Sequence, residues 1–357
     1  MNGPTTRQKM AFWLLIGVFS VVFVEVPSGS TKFPFFDPWG VLVVFPLYTL
    51  HSVFFAALIF RFGKPNFWAL YAAGTIYGMY EAYITKVDWI SFRPEGPFWR
   101  FGGIAFFETI ILGLFLHPIL AFVAPLLVTE ELCTNSSEIG DGLPARYGNS
   151  LRRHPGRWLA CLIVMFGLMQ FINSPSPLIS FASASTTCAC VGILLYWWRK
   201  TGGAAWSMRE LLPQGRAFVA ITVLLAVYYL FWSWAIRREA LPPVWPAQVS
   251  IWVIYAGLIL LLTLCVRKME SATSSGLGTI ARRTFQFSWR AFFQLSLLAA
   301  VVATLAKVFL APFGGVQILL FFSFYVLAGI LLLLGTTIHA FRRPSLPPPN
   351  SDSPPQP

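Results

Sequence analysis

NFWALYAAGTIYGMYEAYIT (residues 66–85) and FGGIAFFETIILGLFLHPILAFVAPLLV (residues 101–128) are two apolar runs joined by a short polar segment. At 1.5 Å per residue, each is long enough to cross a hydrocarbon core of roughly 30 Å. Glu81 interrupts the first run, and Glu108 and His117 interrupt the second. An ionisable side chain inside an apolar helix is costly and usually marks a pathway, a relay or an ion pair. The hairpin therefore reads as two membrane-embedded helices carrying a candidate polar site.

Runs of the same kind recur along the whole chain. Of its 357 residues, 56% are hydrophobic and 11% charged, and mean hydropathy is +0.66. No polar stretch exceeds about thirty residues, too short for an independent soluble domain. The pattern predicts an all-α polytopic integral membrane bundle of about ten transmembrane helices. They fall near 10–26, 39–60, 66–85, 101–128, 158–173, 177–198, 217–236, 247–266, 291–310 and 316–340. Together they make one domain over residues 1–340, followed by a disordered, proline-rich tail at 341–357. The first run also fits the apolar core of a leader peptide, but without an A-x-A pattern it reads as a retained helix.

Charge sets the orientation. The net charge of +12 is scattered over short loops, which argues for membrane topology rather than nucleic-acid binding. Nineteen Lys and Arg residues fall on the side of the N-terminus and six on the other, with Lys307 inside a span to complete the 26. By the positive-inside rule both termini are cytoplasmic, in a multi-pass protein of the plasma membrane (cell inner membrane). Trp197 and Trp198 before Arg199-Lys200, and Trp232 and Trp234 before Arg237-Arg238, mark the two interfaces. The lipid bilayer is thus the one partner the composition requires.

The candidate site begins on one helical stripe. Tyr71, Gly74, Gly78, Glu81, Thr85 and Asp88 recur at spacings of three and four, so they share a face. Gly74 and Gly78 form a GxxxG pair that lets a neighbouring helix approach closely. Glu81 is expected about 7 Å below the outer end of its helix, Glu108 about 10 Å and Lys307 about 5 Å. Two carboxylates close together in low dielectric need a cation between them: Lys307, Lys86, an arginine, a metal ion or a transported proton. A structural ion pair that fixes helix register fits the same pattern.

His117 lies nine residues from Glu108, half a turn out of phase, and shares a face with Thr109 and Gly113. Pro118 and Pro125 free the carbonyls of Leu114 and Ala121 and predict a kink. In the second span Tyr48, His51 and Ser52 share a face near mid-membrane. The candidate polar site therefore comprises Glu81, Glu108, His51, His117, Lys307 and Tyr48. It has neither HExxH nor a Glu-x-x-His pair, so no metal and no cofactor is expected.

One loop fragment, Glu138 to Arg146, resembles the start of the CDP-alcohol phosphatidyltransferase signature, in which Asp-Gly-x-x-Ala-Arg precedes a glycine and two aspartates. Here Asp141-Gly142 and Ala145-Arg146 match, but Pro155, Leu159 and Ile163 occupy the later positions. Without those carboxylates the metal pair of that chemistry cannot form. The sequence thus predicts a carrier for a small solute or cation, with Glu81 and Glu108 as proton or cation sites. A membrane-embedded enzyme acting on lipid-linked substrate, and a non-catalytic scaffold, are the alternatives.

Overall fold

Ten long helices are found in the computed structural model, which describes residues 3–28, 30–92, 96–170, 174–242, 245–273 and 288–342. They are α1 (Thr6–Ser28), α2 (Gly40–Arg61), α3 (Phe67–Thr85), α4 (Phe106–Cys133) and α5 (Pro155–Gln170), then α6 (Pro177–Lys200), α7 (Gly215–Ala235), α8 (Trp245–Thr273), α9 (Trp289–Leu310) and α10 (Gly314–Phe341). The protein is an all-α, polytopic membrane bundle. Eight of these helices are long and apolar enough to cross a membrane. The two that fall outside that measure are α5, with 16 residues, and α3, whose four tyrosines and Glu81 lower its hydropathy.

Local chemistry sets the helix ends. Asn66 caps α3 by accepting the Ala69 N–H at 2.9 Å, and Ser176 caps α6 through the Ile179 N–H. At the other end of α3, Lys86 turns left-handed with φ +64° and stops the helix. Between α3 and α4, Arg100–Phe101 pairs antiparallel with Ile104–Ala105. Gly102 and Gly103, with φ +57° and +82°, make the two-residue turn. Only glycine takes two successive positive φ values cheaply. The fourth span therefore starts at Phe106 rather than 101, because the Gly-Gly pair folds back as a hairpin.

At its other end α4 is longer than expected and runs past 128 to take in Glu130 and Cys133. Glu130 is buried, and its carboxylate accepts the Ile139 and Gly140 N–H groups at 3.0 and 3.1 Å. That satisfies the start of the turn Glu138–Asp141 and draws the following loop under the bundle. Arg209 closes the same end, donating to Glu138 at 3.1 Å and to the carbonyls of Phe60 and Gly63. Beyond Arg342 the expected tail lies outside the described residues.

Four helices form the centre. α1 lies against α2, α4, α5 and α6, and α3 against α4, α2, α7 and α8. α10 joins α4 and α8, while α9 joins α5 and α6. The buried aliphatic and aromatic side chains concentrate on α1–α4, whereas α7 and α10 turn most of their apolar surface outward. Helices that are hydrophobic all round but exposed are what a bilayer solvates.

Candidate functional site

Gly74 and Gly78 face α4 at short range. A Cβ at Gly74 would lie 2.7 Å from Pro118 Cα, and one at Gly78 would lie 2.8 Å from the Leu112 carbonyl oxygen. α3 and α4 thus meet backbone to backbone along the glycine stripe. Tyr71, on that stripe, directs its hydroxyl at the Leu114 carbonyl (2.7 Å), the one expected to need a donor beside Pro118. Ser52 reaches the Ala121 carbonyl, beside Pro125, at 3.5 Å.

The middle of α4, Ile111–Val123, winds in wider π-helical turns. Phase counted at 3.6 residues per turn fails across such a stretch. His117 consequently points at α3 and α2, and its Nδ1 lies 3.1 Å from the Leu112 carbonyl, five residues back. A carbonyl can only accept, so Nδ1 carries a proton and donates it.

That leaves His117 Nε2 at the centre of a polar chain. It lies 3.3 Å from Glu81 Oε2 and 3.2 Å from the Tyr48 hydroxyl. Tyr48 donates to Glu25 Oε1 at 2.6 Å, and Thr31 Oγ1 donates to Glu25 Oε2 at 3.0 Å. The order is Glu81, His117, Tyr48, Glu25, drawn from α3, α4, α2 and α1 respectively. With Nδ1 already protonated, the Glu81–His117 contact is favourable only if one further proton lies between the two. The pair is thus either a neutral imidazole facing a carboxylic acid or an imidazolium facing a carboxylate, and because Tyr48 spends its one proton on Glu25, only the imidazolium form also hydrogen-bonds the Tyr48 oxygen.

Of the expected site residues, the structure brings Glu81, His117 and Tyr48 together and adds Glu25 and Thr31. Glu25 stands near the end of the first apolar run, and nothing in its spacing ties it to Tyr48. His51 lies next to this group: its Nδ1 meets the Leu47 carbonyl at 2.7 Å, and its ring stacks on Tyr77 with centroids 4.9 Å apart. Among the described residues its Nε2 has no hydrogen-bond partner.

Glu108 and Lys307 go elsewhere. Glu108 sits in the first turn of α4, where Ser91 Oγ donates to it at 2.7 Å and the Phe98 N–H at 3.4 Å. It ties down the α3–α4 connection and does not meet Glu81 in a shared pocket, because Glu81 is taken by His117. Lys307 lies on α9, which packs on α5 and α6 rather than on α3 or α4. Asp88, the last member of the sequence stripe, falls beyond the break at Lys86 and accepts from Thr109 Oγ1 at 3.0 Å. Burial pushes its carboxyl up to about 7, against the lowering effect of the Thr109 hydrogen bond. Lys86 is buried beside it, donating to the Ser233 and Ile84 carbonyls at 2.7 and 3.1 Å. Burial pushes that ammonium down to about 8. Among the described residues, no group of three or more His, Cys, Asp or Glu side chains is placed to hold a metal ion.

The Glu25–Tyr48–His117–Glu81 chain lies on a cavity of about 970 Å³. Its walls are apolar, including Leu47, Leu116, Phe321 and Phe322, and Lys32, Arg237, Trp39 and Trp232 also line it. These residues come from the end of the bundle that holds the C-termini of α1, α3 and α7 and the N-termini of α2 and α10. Trp39 and Trp232 meet edge to face at 6.2 Å. A large apolar cleft with a few convergent polar groups is the usual form of a small-molecule site.

Residues 14–346 match the model of an uncharacterized membrane protein family. The chain belongs to this family. It is 34% identical over 303 residues to an uncharacterized protein of Archaeoglobus fulgidus, covering 84% of this chain and 91% of that relative. No solved structure matches it.

Proposed function

We propose that the protein is a membrane-embedded enzyme that moves a proton on a membrane-borne, lipid-linked substrate held in the cavity. One observation carries this reading: a carboxylate, an imidazole, a phenol and a second carboxylate are joined in one hydrogen-bond chain beside a substrate-sized, apolar-walled space. Proton transfer by positioned side chains supplies typically 10²–10⁴-fold in rate. Glu81 and His117 are the acid–base pair, with Tyr48, itself held by Glu25, beside the same Nε2 and the Leu112 carbonyl orienting the ring from Nδ1. The Lys and Arg asymmetry supports cytoplasmic termini in the plasma membrane, and the cavity then faces the outer leaflet.

A carrier of a small solute or cation is the second reading. It is favoured by His51, whose Nε2 has no partner among the described residues and whose ring stacks on Tyr77 next to Tyr48 and His117. Against it, the lining of the cavity comes from one half of the bundle, whereas the other half is filled by packed side chains such as Phe12, Ile59 and Phe122.

The two are separated by lipid analysis and flux on the same preparation. Full-length protein in liposomes of total cellular lipid should convert one lipid species, followed by mass spectrometry, and Glu81→Gln and His117→Asn should not. Unchanged lipids, together with proton or cation flux that Glu81→Gln abolishes, would establish the carrier instead.

A further inference from the structure

We propose that the mouth of the cavity holds the anionic phosphomonoester head of a membrane lipid between Lys32 and Arg237, with the lipid chain leaving along α10. This names the substrate class for the acid–base reading above and rests on it. Charge is sorted along the cavity. Its two acids, Glu25 and Glu81, belong to the buried hydrogen-bond chain, whereas its two bases lie on the segments that follow α1 and α7. Lys and Arg are scarce at this end of the bundle, and one of the few others, Lys86, is consumed by backbone carbonyls.

Lys32 and Arg237 make no ion pair with any described carboxylate. Their backbones are nevertheless held in place. The Lys32 carbonyl accepts from Ser183 Oγ of α6 at 2.6 Å, and Thr31 beside it is tied to Glu25. Arg237 adopts φ +46° at the end of α7, a conformation that an arginine takes only when its surroundings require it. Two cations fixed at the ends of spanning helices lie at the level where lipid phosphates sit, and an arginine there suits a phosphate's planar recognition.

The wall beneath them explains why the phosphate belongs to a lipid and not to a solute. α10 lines the cavity with Ile318, Phe321 and Phe322, while Leu319 and Leu320 on the same turns are largely exposed to the surrounding bilayer. One helix thus separates the cavity from the hydrocarbon phase. Next to it, Met169 of α5 also lines the cavity and accepts from the Tyr325 hydroxyl of α10 at 3.3 Å. An acyl or polyprenyl chain can pass from the cavity to the bilayer along this apolar surface at little cost.

The test measures thermal unfolding of the purified full-length protein in detergent while titrating short-chain phosphatidic acid, phosphatidylcholine of equal chain length, or inorganic phosphate. Phosphatidic acid should raise the midpoint at the lowest concentration. The double variant Lys32→Gln/Arg237→Gln should shift half-saturation about tenfold or more upward. Arg238→Gln, whose guanidinium lies over the Trp234 ring and outside the cavity, should leave it unchanged. Unliganded midpoints report whether each variant is folded. An equal gain from phosphatidylcholine, an equal gain from inorganic phosphate alone, or an unaltered response in the double variant would each overturn the proposal. Glu81→Gln should keep the phosphatidic acid response, so loss of turnover chemistry and loss of phosphate binding are read separately.

Discussion

His117 Nε2 lies 3.3 Å from Glu81 Oε2 while the opposite ring nitrogen is already spent on the Leu112 carbonyl. The helix geometry that presents that carbonyl, a π-helical stretch running past Pro118, therefore determines which nitrogen is left to meet Glu81. In the proposed function a proton shared at this point is the chemical resource of the cavity, and the neighbouring residues can be ranked by how they reach it.

Glu81→Gln keeps the volume of the side chain but cannot take a proton. Turnover of the lipid substrate should fall at least about a hundredfold, with the unfolding midpoint in detergent little changed. Retained turnover in this variant would remove Glu81 from the chemistry.

Tyr48→Phe cuts the chain in the middle. Glu25 keeps Thr31, and His117 keeps Glu81, so the acid–base pair survives with one fewer support. Leaving a buried carboxylate short of a donor costs about 1–3 kcal/mol, and thermal unfolding should show that loss. Turnover should decline less than in Glu81→Gln. A loss as large as that of Glu81→Gln at unaltered stability would instead place the phenol on the substrate.

Gly78→Ala and Gly113→Ala make a paired test of the helix contact. The added methyl at position 78 meets the Leu112 carbonyl at 2.8 Å and the Gly113 backbone and His117 Cβ at 3.0 Å, whereas at 113 it meets the Met79 side chain, its sulfur at 3.0 Å. Backbone cannot move aside, but a methionine end can. Gly78→Ala should lower the unfolding midpoint by several degrees and reduce turnover by separating Glu81 from His117, while Gly113→Ala should be mild. Equal effects would mean that α3 and α4 do not touch as closely as described.

Asp88 gives the pH dependence. Its folded value, pushed up to about 7 from 3.8, means that the folded protein holds a proton there which the unfolded chain releases above about pH 4. The stability this contributes is complete below pH 4 and is lost as pH rises through 7. Unfolding midpoints at pH 5 and pH 8 should therefore differ in the wild type and converge in Asp88→Asn, which is neutral throughout. An unchanged difference in the variant would assign the dependence to another group.

The apolar runs by themselves determined a helical membrane bundle, and the Gly74–Gly78 spacing determined which face of α3 meets a neighbour. Both are properties of a single helix: length against bilayer thickness, and a period near 3.6. Glu81, His117 and Tyr48 stood out for the same reason, as polar atoms in segments that cannot afford them unpaired. Their assembly was decided only by the tertiary structure. The wider winding of α4 rotates His117 toward α3, the Gly-Gly hairpin and Ser91 take Glu108 away, and Glu25 arrives from a helix more than twenty residues from Tyr48 in the chain. Such pairings depend on where whole helices lie against one another, and a period within one helix carries no record of that.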